Sequence, residues 1–302
     1  MVAAMSADGA VKTALATWVD HHHPGGRLSD VTILKGGISA QMTRYTVLVP
    51  NAAPITYVLR SIMHPPGGNA EAAVLREQSL LNWLHTVGQP APKVIDVDLA
   101  GARFGTPSLV LGFLDGAPQF SPHDPIAFAN TFACGLAQVH RLGLPPPSDV
   151  MLPRQTETYA APLAKLRLQL GSPMEKNPQT LLHGDYWPGN VVWQGDDIIG
   201  VIDWEEAAIG DPLADLAISR LDILWLLGPD AMTAMTARYA RETRIDLTDL
   251  ALWDLIAATR PGNALDQWSQ TYPALGRPDI TTALMADRMA WFIDQALMGH
   301  ER

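Results

Sequence analysis

The sequence predicts an α+β fold in two lobes: an N-terminal antiparallel sheet carrying one helix over residues 1–113, and a larger helical C-terminal lobe with a β-hairpin insert over residues 114–302. Three observations predict it. A chain of 302 residues exceeds what one hydrophobic core usually supports. Strand-like segments crowd between Val31 and Phe113 with a single helical stretch among them, and helical periodicity takes over after Gly116. The change of character falls near Leu111–Gly116, so a cleft is expected between the two lobes.

The elements follow in order. Met1–Val19 reads as a short amphipathic helix, because it lacks a basic leader and Asp8 and Lys12 interrupt its apolar stretch. Val31–Leu34 and Tyr45–Val49 read as strands flanking a Gly36-Gly37 turn, and Ile55–Ile62 as a third. After the Pro65-Pro66-Gly67-Gly68 loop, Asn69–His85 places Ala73, Leu80, Leu81 and Leu84 at helical spacing, with Gly88 just past its end. Lys93–Val97 and Ser108–Phe113 complete the sheet. Asp124–Leu142 is strongly periodic through Ile126, Phe128, Phe132, Leu136 and Val139, and Pro145-Pro146-Pro147 breaks it. Short strands follow at Leu181–His183, Val191–Trp193 and Ile198–Ile202, and from Pro212 helices dominate.

Composition excludes several classes. Apolar residues make up 47% and charged residues 17%, the balance of an ordinary folded globule. No apolar run approaches the ~20 residues that span a bilayer, so no membrane partner is expected. The net charge of −10 is uneven: from Leu181 onward 19 acidic residues face 8 arginines and no lysine, giving −11. That argues against nucleic acid, whose phosphates need cations, and suits a cationic ligand. The single Cys134 sits among apolar residues, which implies a buried inert thiol and, with no disulfide possible within the chain, a cytoplasmic protein.

The chemistry concentrates in Leu182-His183-Gly184-Asp185-Tyr186-Trp187-Pro188-Gly189-Asn190-Val191 and in Val201-Ile202-Asp203-Trp204-Glu205. Asp185 and Asn190 lie on a Gly/Pro-rich loop between apolar strands, and Asp203 closes the next strand after a turn at Gly195-Asp196-Asp197. A hairpin of this length brings Asn190 and Asp203 together at its open end. One amide oxygen and one carboxylate, with waters and phosphate oxygens, form the sparse all-oxygen set that Mg²⁺ accepts. Asp185 would then stand nearby as a carboxylate able to take a hydroxyl proton, and phosphoryl transfer asks little more of a protein. Each residue alone could be satisfying its own turn; the three together point to phosphate chemistry.

His183-Gly184-Asp185 with Asn190, followed by Ile202-Asp203-Trp204-Glu205, resembles the aminoglycoside phosphotransferase/choline kinase family, over roughly residues 30–225. The resemblance implies a protein-kinase-like two-lobed fold, with a nucleotide-binding N-terminal lobe, a catalytic and substrate-binding C-terminal lobe, and ATP or GTP with Mg²⁺ as donor. It makes Asp185 the catalytic carboxylate and Asn190 and Asp203 the metal ligands. Trp204-Glu205 stands where protein kinases carry Phe-Gly, so no switch of that kind is assumed. Gly36, Gly37 and Ser39 stand in place of the phosphate-covering loop. Arg60 stands where the third-strand Lys contacts phosphates, and it can fork onto two oxygens. Glu77 is its candidate partner and Glu71 the competitor. Ser108–Gly116 matches the connection whose backbone meets adenine, through Leu111 and Phe113. His183 is expected to brace the loop rather than act as a base, and Asp211 to cap the helix after Pro212.

The acceptor implied is a small hydroxylated molecule: an amine-bearing antibiotic of aminoglycoside type, a macrolide, or a choline- or sugar-like metabolite. Glu205, Asp222 and Trp225 are the candidates for holding it; Asp222 lies one turn before Trp225, which could instead pack in the core. His21-His22-His23 does not converge as a metal site, and His140 reads as a packed helix residue. Two rival functions remain: a nucleotide-binding regulatory module without catalysis, and a phosphohydrolase using water.

Overall fold

The computed structural model describes residues 9–34, 39–65, 68–145, 150–155 and 176–300. The expected Gly36-Gly37 turn, Pro66-Gly67, Pro146-Pro147, and residues 1–8 of the stretch expected to form the N-terminal helix lie outside the described residues. The chain divides into two compact units, Met1–Asp115 and Gly116–Arg302.

The first unit begins with α1 (Gly9–His22), then β1 (Arg27–Leu34), β2 (Ala40–Leu48) and β3 (Ile55–Ile62), α2 (Ala70–Thr86), β4 (Val94–Asp98) and β5 (Ser108–Gly112). The strands form one antiparallel sheet in the order β1-β2-β3-β5-β4. Because side chains alternate across a strand, Tyr57 and Leu59 of β3 face one side and Val58 and Arg60 the other. On the first side Tyr45, Val47, Tyr57, Leu59 and Val110 meet Leu15, Trp18 and Val19 of α1 in one buried cluster. The apolar side of α1 thus completes the sheet's core. Asn69 caps α2, accepting the Ala72 amide at 3.0 Å.

The second unit holds α3 (Pro125–Arg141), β6 (Thr180–Leu182), β7 (Val191–Gln194), β8 (Asp197–Val201), β9 (Ala208–Gly210), α4 (Leu213–Leu227), α5 (Pro229–Thr243), α6 (Leu250–Ala257), α7 (Leu265–Ser269) and α8 (Thr282–His300). β7 and β8 form the expected hairpin, turning at Gly195 with φ 62°. The strand β9, which carries no pattern long enough to read, pairs antiparallel with β6, just before the loop that carries Asp185. Asp124 caps α3, and Asp211 accepts the Leu213 amide at 2.9 Å at the start of α4. Cys134 is half-buried rather than buried; Arg238 Nε donates to its Sγ at 3.1 Å. No described helix is long and apolar enough to cross a membrane.

Candidate active site

The loop between β6 and β7 is held from below by one carboxylate. Asp215, in the first turn of α4, is fully buried; its Oδ2 accepts the His183 amide at 2.6 Å and its Oδ1 the Gly184 amide at 2.9 Å. His140 of α3 donates from Nε2 to the same Oδ2 at 3.1 Å, and its Nδ1 meets the Tyr239 hydroxyl. Burial alone would raise the Asp215 pKa, but the bond and charge of His140, the His183 ring and the His183 amide together bring it below the ordinary carboxylate value. Gly184 has φ 85°, and a Cβ there would strike the carbonyl of Glu206, so the residue preceding Asp185 must be glycine.

His183 is buried, and burial lowers its pKa. Its Nδ1 accepts the Asp185 amide at 3.2 Å, so Nε2 carries the hydrogen and donates to the Ile202 carbonyl at 2.9 Å. A neutral ring thereby ties the residue before Gly184-Asp185 to the residue before Asp203. Tyr186 and Trp204 are buried beneath, and Ser219 of α4 donates to the Tyr186 carbonyl at 2.6 Å.

The side chains of Asp185 and Asn190 meet above this base, and the backbone brings Asp203 to the same end of the hairpin. Asn190 ends a turn that starts at Asp185, with the Asn190 amide on the Trp187 carbonyl at 2.9 Å. Its Nδ2 donates to the Asp185 backbone carbonyl at 3.0 Å and to Asp185 Oδ2 at 3.1 Å. The amide hydrogens are thus committed to Asp185, which turns Oδ1 away from that residue. The Ile202 amide donates to the Asn190 carbonyl at 2.9 Å, so Asn190 and Asp203 share the open end of the β7–β8 hairpin. Asp203 takes the left-handed conformation, φ 63°, unusual for a residue with a side chain. One amide oxygen and one carboxylate suit a hard, oxygen-seeking cation such as Mg²⁺ that draws its remaining ligands from phosphate and water.

Arg260, in the turn after α6, donates from Nη2 to Asp185 Oδ1 at 2.9 Å and to Glu206 Oε2 at 3.4 Å. Nothing in the local sequence announces it: it lies 75 residues from Asp185, and its only mark is an arginine before a Pro-Gly turn in an acidic region. Loss of solvent raises the Glu206 pKa, with the pull of Arg260 opposing and the charges of Asp185, Glu205 and Asp203 adding to the rise. Burial pushes the half-buried Asp222 up to about 8, again with Arg260 opposing and Asp185 reinforcing. Asp222 and Asp185 therefore lie within electrostatic reach of each other. Trp225 does not line this site: it is 1% exposed, donates its indole N–H to the Met285 carbonyl at 3.0 Å and stands edge-on to Trp268. It is a core residue of the helical unit.

In the first unit, Arg60 projects from β3 and donates from Nε to Glu77 Oε2 of α2 at 2.9 Å, both side chains buried. Glu71 lies exposed in the first turn of α2. Ser39 accepts the amides of Met63 and His64 with its carbonyl, each at 2.8 Å. Leu111 sits between β3 and β4, and the sheet pattern runs on through Gly112, whose amide meets Lys93, and Phe113, whose amide meets Thr56 at 3.2 Å. The amide of Phe113 is therefore committed to the sheet, and an adenine contact there would have to use another group.

The profile of the phosphotransferase enzyme family matches residues 30–253. Among curated proteins, human acyl-CoA dehydrogenase family member 11 is 29% identical over 204 residues, covering 56% of this chain and 26% of the relative. This chain thus spans about a quarter of that protein's length. Among solved structures, macrolide 2'-phosphotransferase type I superposes with a TM-score of 0.62 at 19% identity, over 92% of this chain and 99% of that one. Amicoumacin kinase hAmiN, solved with AMP-PNP and Ca²⁺, superposes with a TM-score of 0.60 at 14% identity, over 94% and 93%. At such identities the likeness establishes the kinase-like α+β fold.

Proposed function

This chain belongs to the phosphotransferase enzyme family, and we propose that it transfers the terminal phosphate of ATP or GTP to a hydroxyl of a small, amine-bearing molecule of aminoglycoside or macrolide type, or to a small metabolite of like chemistry. The observation that carries the proposal is the joining of Asp185 Oδ2 to the Asn190 amide at the hairpin end that also bears Asp203. AMP-PNP and Ca²⁺ in the amicoumacin kinase support a nucleotide donor with a divalent ion.

Asn190 and Asp203 would hold Mg²⁺, which when bound would supply neutralisation of the donor's phosphate charge. Arg60, kept in line by Glu77, binds phosphate oxygens of the donor, and Gly36, Gly37 and Ser39 are the residues that the family resemblance assigns to the same phosphates. Asp185 orients the acceptor hydroxyl and accepts its proton as the new oxygen–phosphorus bond forms and the bond from that phosphorus to the departing nucleoside diphosphate breaks. Glu205 supplies negative charge that draws an ammonium group of the acceptor, and Asp222 adds to it once ionised. Partial protonation of Asp222 near neutral pH makes that attraction stronger as pH rises.

The test is ADP release with ATP and with GTP against aminoglycosides, macrolides, amino alcohols and sugars, in the wild type and in Asp185→Asn. Turnover in the wild type, lost at least ~10³-fold in Asp185→Asn with Mg·nucleotide binding retained, is the expected result. Retained transfer in the variant removes Asp185 from its role. Thermal stabilisation by Mg·ATP with no ADP formed on any acceptor would instead mark a regulatory module.

A further inference from the structure

We infer that Arg260 is the positioning residue that sets the direction in which Asp185 presents its proton-accepting oxygen. The inference rests on the reading of Asp185 as that acceptor. Asp185 is a short carboxylate with its side chain 31% exposed, and Asn190 restrains only Oδ2. Rotation about the Cβ–Cγ bond would remain open were Oδ1 not also held. The Arg260 guanidinium holds it, from an element far removed in sequence.

Arg260 is itself anchored. Its amide donates to the Ala257 carbonyl at 3.0 Å, closing the last turn after α6, and the Gly262 amide returns to Thr259 at 3.2 Å. Its side chain is 19% exposed, so its charge acts in a partly dry environment where a charge-assisted bond is stronger than on open surface. Among the described residues the carboxyl groups facing it include Asp185 on the catalytic loop, Glu206 after Asp203, and Asp222 on α4. One guanidinium thus stands against three carboxyl groups that would otherwise repel one another. When Asp185 takes the acceptor's proton and becomes neutral, Glu206 still pairs with Arg260, so the arginine does not have to move during the step.

The experiment compares wild type, Arg260→Ala, Arg260→Gln, Arg260→Lys and Asp185→Asn. It uses ADP release with Mg·ATP and the best acceptor among kanamycin, erythromycin, choline and homoserine, or water if none turns over. Expected for Arg260→Ala is a fall in kcat of about 30- to 100-fold, the scale of a misplaced reacting group, with the KM for Mg·ATP within twofold. Arg260→Lys recovers part of the loss, and added guanidinium ion restores part of it in Arg260→Ala. A second readout needs no turnover: the ¹³Cγ resonance of Asp185, assigned by its disappearance in Asp185→Asn, shifts or broadens in Arg260→Ala.

A kcat within threefold of wild type together with an unmoved Asp185 resonance overturns the inference. So does an equal loss in the Lys, Gln and Ala variants with KM for Mg·ATP rising in step, which is general damage. Should Arg260→Ala fail to fold, Arg260→Gln, which keeps an N–H donor, carries the same comparison against Lys. Transfer persisting in Asp185→Asn sinks the reading of Asp185 instead, and is thereby told apart from failure at Arg260.

Discussion

In the first unit one arginine and one glutamate, 17 residues apart in sequence, are joined by an Nε–Oε2 bond of 2.9 Å. In the second, Asp215 collects two backbone amides and one imidazole on a single buried carboxylate. The first arrangement fixes a side chain; the second fixes a stretch of main chain. An ion pair on a sheet and a helix can rotate or slide without unfolding either element. Two amides aimed at one carboxylate cannot be redirected without remaking the loop that carries Asp185. The difference teaches which charges are expected to control stability and which to control ligand binding.

The comparison breaks most visibly at Asp215. Asp215→Ala leaves two buried amides and a buried imidazole without their acceptor, a loss of about 3–5 kcal/mol. Thermal unfolding should show it as a large drop in Tm, with ADP release lost in parallel. A variant that melts like the wild type would mean the loop does not depend on that anchor.

Gly184→Ala should come next. With φ 85° and a Cβ directed at the Glu206 carbonyl, alanine is strained and clashes with main chain, a cost of roughly 2–4 kcal/mol. Much of it should appear as reduced kcat, because Asp185 is the following residue. Denaturant unfolding and steady-state kinetics on the same preparation separate the two; unchanged kcat would show that the loop absorbs the side chain.

Glu77→Gln should behave differently from both. It keeps an acceptor for Arg60 but removes the charge, a loss of about 1–3 kcal/mol that Mg·ATP binding should partly restore. The KM for Mg·ATP should rise about tenfold with kcat changing less. If kcat falls while KM holds, Arg60 is not a donor-binding residue and the contrast between the units disappears.

The same contrast explains how much could be read in the sequence. Strand β3 was legible to the residue, because Ile55–Ile62 alternates between the α1 cluster and the α2 side. That the backbone gathers Asp185, Asn190 and Asp203 at one end of the hairpin was legible, because loop and hairpin lie within 19 residues and their geometry is local. Asp215 stood inside a segment read only as a helix start, since its partners His140 and His183 come from other elements. Arg260 was not legible at all. Trp225 was ambiguous for a different reason: α4 is apolar on nearly every side, so helical spacing does not say which face meets the core. Sequence pattern reads a side chain's neighbours along its own element well, and its neighbours across elements hardly at all.

The smallest effect expected is on pH, and it sharpens the contrast inside the second unit. Asp215 and His183 are both shifted down, so their contributions are present at neutral pH and fade as pH falls, that of His183 from below its ordinary value of 6.5. Asp222 is shifted the other way, to about 8 from 3.8. Its folded form binds a proton that the unfolded form has already released, so its contribution is complete below pH 4 and is lost as pH climbs toward 8. Asp222→Asn removes that loss. Allowing for its half-buried position, the variant should match the wild type near pH 4 and exceed it by roughly 2 kcal/mol at pH 8. Denaturant unfolding at the two pH values measures the difference. Parallel curves would mean that Asp222 is solvated like any surface carboxylate; a gap opening with pH would place it in the dry, crowded set of acids that Arg260 faces.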